Sequence, residues 1–266
     1  MTQTFEFLRH IFSKHAFLSA VLITALSVGL MKTANFTFSD TAIVGDNIAS
    51  FTRYMIVAAL FYVMIHIGWA KAAGLTSFSI TGGAQYWWAT TLPLILVGGL
   101  NLISTSWDSL VFKPAGLIQA FFSDFSVGLF EEILLRGVCF YILCRAWRDY
   151  NNGLIKAALV QALIFGLFHI FNLATTPAVD VIAQVIYATL LGIGFAGIVS
   201  YTRSIWLAVI LHTFINAAGN LDKYFQADYV RPSTDPASYA AAITLIFIIV
   251  VLPNLYLLKK IQTRQS

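Results

Sequence analysis

Apolar residues run in long blocks along this chain, broken by short polar stretches, and the blocks set its architecture. A helix needs about 17–25 predominantly apolar residues to cross a bilayer. Windows of that kind fall near 16–31, 53–73, 87–105, 117–143, 154–171, 179–202, 204–218 and 237–258. The seventh is short, and only Arg203 separates it from the sixth. Seven or eight spans fit this pattern, and we count eight. The expected fold is all-α, a polytopic transmembrane helix bundle. The polar segments between windows (32–52, 74–86, 106–116, 172–178 and 219–236) are short, and the last holds the turn-rich run Arg231-Pro232-Ser233-Thr234-Asp235-Pro236. No linker, internal repeat or low-complexity tract divides the chain. Residues 1–266 are therefore read as one integral-membrane domain.

Composition agrees that the bilayer is the solvent. Hydrophobic residues make up 59% of the 266 and charged residues 11%, where a soluble domain carries about 25% charged. The basic residues then orient the bundle. With eight spans and both termini inside, the cytoplasmic segments hold Arg9, Lys14, Lys71, Arg145, Arg148, Lys156, Arg203, Lys259, Lys260 and Arg264. The opposite side holds Lys32, Arg53, Lys113, Lys223 and Arg231, together with most acidic residues, among them Asp40, Asp46 and Asp228. Ten against five supports cytoplasmic termini. The net charge of +4 is thus a topology signal and gives no basic patch for nucleic acid. The run 16–31 is long for the core of a signal peptide and is read as a retained first helix. Cys139 and Cys144, five apart on one helix, point in different directions and suggest neither a disulfide nor a metal motif.

The ionisable residues inside the windows carry the functional information. In the fourth, Phe130-Glu131-Glu132-Ile133-Leu134-Leu135-Arg136 places two carboxylates and a guanidinium at mid-membrane depth. Each such group costs at least ~2.5–3.5 kcal/mol there and marks a functional site by default. Glu132 and Arg136 are i,i+4 in the favourable order for an ion pair. Glu131 is turned about 100° away and has no partner on its own helix. It must be protonated, paired with another helix or facing water. The fifth window ends in Phe165-Gly166-Leu167-Phe168-His169, and the seventh contains His212-Thr213-Phe214-Ile215-Asn216. At 1.5 Å per residue from the cytoplasmic helix ends, Glu131 lies at roughly 18 Å, His169 at roughly 22 Å, His212 at roughly 12 Å and Asn216 at roughly 18 Å. Four polar groups from three helices converge on one layer.

A carboxylate, two imidazoles and an amide suit hydrolysis. Glu131 can take a proton from water while His169 orients that water, and His212 and Asn216 can donate to a developing oxyanion. Glu131, His169 and His212 are also ordinary zinc ligands. Residue types alone do not separate the two chemistries.

Glu131-Glu132-x-x-x-Arg136, Phe165-x-x-x-His169 and His212-x-x-x-Asn216 resemble, in order, the three motifs of the CPBP family (CAAX prenyl protease and bacteriocin-processing, or Abi) of intramembrane glutamic-type endopeptidases. The resemblance covers about 117–219. It implies catalytic roles for Glu131, His169, His212 and Asn216, with Glu132, Arg136 and Phe165 in support. It also implies an endopeptidase that needs no cofactor, with a zinc-type divalent ion on Glu131, His169 and His212 as the alternative. The implied partners are membrane lipid and a peptide or protein substrate, lipid-anchored or not. The short loops resemble a bacterial member, which implies the bacterial cytoplasmic membrane. Competing readings are a non-catalytic membrane regulator or bacteriocin-immunity protein, and a proton-coupled transporter. The last would more often show repeated halves with Gly/Pro-broken helices, which this chain lacks. Reporter fusions at Ser266 and near Asp149 should read cytoplasmic and one near Ser233 external; a cytoplasmic signal at Ser233 overturns the eight-span topology.

Overall fold

The computed structural model describes residues 3–38, 42–78, 86–227, 229–230 and 235–264. Asp40, Asp228 and Arg231, and the reporter positions Ser233 and Ser266, lie outside the described residues. Described elements are helical, with no β-strand among them. They are α1 (Gln3–Lys14), α2 (Ala16–Phe38), α3 (Ala42–His66), α4 (Trp87–Ser104), α5 (Pro114–Glu132), α6 (Tyr141–Ala146) and α7 (Gly153–Phe168). They continue with α8 (Ala178–Thr202), α9 (Trp206–Gly219), α10 (Leu221–Phe225), α11 (Pro236–Ile246) and α12 (Leu252–Thr263). Among the described residues, five stretches are long and apolar enough to cross a membrane: 16–37, 47–66, 153–174, 178–202 and 236–263. Two apolar helices, 87–103 and 206–219, are shorter.

α5 runs without a break through a π-helical segment, Ile133–Phe140, into α6, so the charged fourth window is one rod. All eight residues of the π-helical segment are buried. π-helical turns are rare and tend to sit at functional sites; this one begins directly after Glu132. A second π-helical stretch, Phe247–Val251, precedes Pro253 in the last rod. A proline within a helix lacks the N–H for the usual backbone bond and crowds the carbonyl four residues back, and the widened turns lie where that crowding falls.

Each predicted window coincides with a helical run, but the second is displaced. The helix is α3, from 42 to 66, where the apolar pattern extends to 73. Gly68 and Gly74 adopt φ of +76° and +77°, a left-handed backbone that glycine takes at no steric cost. The chain turns there although Trp69, Ala70 and Ala73 remain apolar and buried. At its other end α3 begins well before the window, so Arg53, read as a loop cation, lies inside the helix. The amphipathic α1 was too polar to register as a span. It buries Phe12, and Phe5 stacks on His66 with ring centroids 4.9 Å apart.

Small residues set how close the helices come, as in membrane bundles generally. Gly128, one turn before the paired glutamates, lies against α9. A Cβ added there would stand 2.5 Å from Thr213 Oγ1 and 3.2 Å from the Val209 carbonyl oxygen. That approach carries His212 to the level of Glu132. At Gly29 in α2 an added Cβ would have nothing within 4 Å. Gly128→Ala should therefore cost about 1–3 kcal/mol through overpacking, read as a lowered melting temperature in detergent. Gly29→Ala should leave that temperature unchanged or raise it. Equal effects would remove Gly128 as the spacer between α5 and α9.

Candidate active site

Glu132 closes α5 fully buried, and its Oε1 accepts from Arg136 Nη1 at 3.0 Å, neither side chain being exposed. The same oxygen lies 2.7 Å from His212 Nδ1. A carboxylate paired with a guanidinium can only accept, so Nδ1 carries the proton and donates it. One oxygen thus joins the π-helical rod to α9. Glu132 Oε2 has no hydrogen-bonding partner among the described residues.

Aromatic rings enclose this pair. His212 stacks on Phe195 at 5.0 Å with 17° between planes, and Phe165 meets it edge-on at 6.1 Å. The guanidinium carbon of Arg136 lies 4.7 Å from the Phe165 centroid and 5.0 Å from that of Phe195. A desolvated cation over a ring gains about 2 kcal/mol, which offsets part of the cost of burying Arg136.

Glu131 faces elsewhere, as the helical angle requires. Its side chain keeps 21% exposure where that of Glu132 has none, and its Oε2 lies 3.4 Å from His212 Nε2. The carboxylate without a partner on its own helix thus has one on α9. The imidazole stands between the two glutamates, with its Nδ1 given to one and its Nε2 turned to the other.

A cavity of about 190 Å³ lies in front of Glu131, enough for several waters at about 30 Å³ each. Its polar lining includes Glu131, His169, Lys32, Arg53, Asn172 and Gln184. Phe165 also lines it, packing edge-on against His169 at 5.0 Å. His169 follows the end of α7, where its Nδ1 lies 2.9 Å from the Phe165 carbonyl oxygen. A carbonyl only accepts, so Nδ1 donates and Nε2 is the ring atom left for other work. Lys32 Nζ donates to Asn172 Oδ1 at 3.0 Å, and Asn172 Nδ2 donates to Gln184 Oε1 at 2.9 Å. Arg53 donates to Ser126 Oγ at 3.1 Å.

The structure therefore brings Glu131 and His169 to one cavity and His212 against Glu131. Neither His212 nor Asn216, one turn further along α9 and half-buried, is among the residues lining that cavity. Asp124, which shares the face of Glu131 two turns earlier, accepts from Asn220 Nδ2 at 2.8 Å and ties α5 to the end of α9. Sequence reasoning missed Lys32, Arg53, Asn172 and Gln184. The first two were legible only as cations at window edges. For the zinc alternative, no group of three His, Cys, Asp or Glu among the described residues could hold a metal ion.

The helices and this polar cluster define a polytopic α-helical membrane protein with a buried carboxylate–imidazole site. Residues 113–218 match the family of type II CAAX prenyl endopeptidases described as Rce1-like, in agreement with the CPBP resemblance of the three motifs. At the level of that family the match is to a CAAX-type protease of the membrane. No curated protein and no solved structure matches the chain.

Removing one partner of a buried ion pair costs roughly 3–5 kcal/mol, because the other charge is left uncompensated. Glu132→Ala and Arg136→Ala should both lower the melting temperature markedly. Glu131→Ala, with its carboxylate at a cavity, should leave it nearly unchanged. A Glu131→Ala variant as unstable as Arg136→Ala would make Glu131 a packing residue.

Proposed function

We propose that the protein is an intramembrane endopeptidase in which Glu131 and His169 activate a water molecule. The observation that carries this reading is the placement of Glu131, lining a polar cavity with His169 and touching His212 Nε2 at 3.4 Å. Two lone pairs facing each other across that gap would repel, so the stable arrangement has one proton between Glu131 and His212. Water in the cavity gives a proton to the free oxygen of Glu131, while its second hydrogen is accepted by His169 Nε2. The oxygen attacks the peptide carbonyl. His212 then turns its Nε2–H from Glu131 to the new oxyanion, held in orientation through Nδ1 by Glu132. A donor of that kind is worth about 2.7–4 kcal/mol. The proton on Glu131 passes to the leaving amine as the tetrahedral species collapses, which restores the carboxylate.

Asn216 is assigned the second oxyanion donor, from its place one turn along α9 from His212. Glu132, Arg136 and Phe165 position the imidazoles, and of the three Phe165 alone lines the cavity. The substrate is a peptide or protein at the membrane, and the site lies in a bundle whose termini are cytoplasmic, in keeping with the division of its basic residues and with a bacterial cytoplasmic membrane.

Glu131→Gln keeps the volume of the side chain and removes the base. In detergent, cleavage of membrane-tethered fluorogenic peptides should fall at least ~100-fold, the lower end of what general acid–base catalysis contributes, at an unchanged melting temperature. Peptides with and without a prenylated cysteine, run side by side, settle the substrate class. Full activity in Glu131→Gln overturns the assignment.

A further inference from the structure

A second and larger cavity, about 690 Å³, lies between α6, the turn that follows it, the end of α8 and α12. Among the described residues its charged lining is five cations, Arg136, Arg145, Arg148, Arg203 and Lys259, against one carboxylate, Asp149. That carboxylate is taken at the surface, where Arg148 Nε donates to it at 3.3 Å. The five cations come from three segments, the rod ending in α6 with the turn after it, the junction of α8 and α9, and α12, which meet at one end of the bundle, the end read as cytoplasmic.

Like charges brought together repel, so this convergence costs stability unless an anion offsets it. Two further observations point to one. Arg136 is fully buried, and its Nη1 is engaged by Glu132, yet its Nε and Nη2 have no hydrogen-bonding partner among the described residues. The rings of Phe165 and Phe195 occupy the faces of the guanidinium and leave those edge N–H groups unpaired. Arg203, between α8 and α9, holds φ at +57°, a conformation uncommon outside glycine. The chain carries an arginine where glycine would cost less, and its side chain lines the cavity.

We propose that this cavity binds a phosphate group, presented by an anionic phospholipid headgroup or as a free anion. Arginine forks match phosphate oxygens in pairs. The volume suits a small ligand, and basic pockets between membrane helices on the cytoplasmic side take phospholipid headgroups. The bound phosphate answers the three outer arginines and the lysine at the surface. It also brings negative charge to the side of the bundle that Arg136 reaches, opposite the carboxylate of Glu132.

The test uses the full-length protein in detergent, with melting temperature and lipid retained in native mass spectrometry as readouts. Phosphatidylglycerol, phosphatidylcholine and inorganic phosphate are added separately. The double variant Arg148→Gln/Arg203→Gly removes two cations, and glycine suits the left-handed backbone at 203, so folding is preserved. Phosphatidylglycerol should raise the melting temperature and be retained, phosphatidylcholine should do neither, and the double variant should lose at least ~10-fold in affinity, the equivalent of about 1.4 kcal/mol. The same shift from inorganic phosphate at millimolar concentration identifies a free anion as the source. Equal effects of the two lipids, no effect of any additive, or an undiminished shift in the double variant overturns the site.

Discussion

A single carboxylate oxygen, Oε1 of Glu132, receives both Arg136 and His212 in a region from which water is excluded. Ionic groups are expensive in such surroundings, and each here is tolerable only through the others. The guanidinium neutralises the carboxylate, the aromatic faces of Phe165 and Phe195 shield the guanidinium, and the imidazole donates to the same oxygen as the guanidinium. With Nδ1 committed to Glu132, the ring of His212 has one free nitrogen, and it points at Glu131. The orientation of the residue assigned to chemistry thus follows from the satisfaction of a residue that never meets the cavity.

The helix packing serves that arrangement. α9 reaches Glu132 because Gly128 leaves no Cβ between it and α5. The π-helical segment starts at the next residue after Glu132 and is buried along its whole length, so the widened turn and the charged pair occupy the same section of the rod. Two adjacent glutamates then have different surroundings, Glu132 closed among rings and Glu131 at the edge of a polar cavity with His169.

Much of this was legible in the chain because the two strongest signals are one-dimensional. An apolar window predicts a span, and an ionisable residue inside it marks a site, so the helices and the residues Glu131, Glu132, Arg136, His169 and His212 follow from order and spacing. The i,i+4 pairing of Glu132 with Arg136 is local and came out as expected. What failed to show depends on the third dimension. Nothing along the sequence tells that Glu132 also holds His212, eighty residues away, or that Lys32 and Arg53 line the cavity of Glu131. The end of α3 was misplaced because hydropathy counts Trp69 and Ala70 but does not see the left-handed turn at Gly68. Helical spacing ties Asn216 to His212, but it gives no sign that neither of them lines that cavity.

The length of α9 carries a consequence for the lipid around the protein. Its fourteen residues span about 21 Å at 1.5 Å each, against a hydrocarbon layer of about 30 Å. Ile210 on its outer side is 61% exposed, so part of this helix faces the acyl chains. A hydrophobic stretch shorter than the layer makes the bilayer thin locally or draws polar flanks inward. Either response brings the headgroup and water boundary several ångströms closer to His212. Hydrophobic mismatch at one short helix then shortens the path that water and a peptide backbone must travel to reach the buried carboxylate.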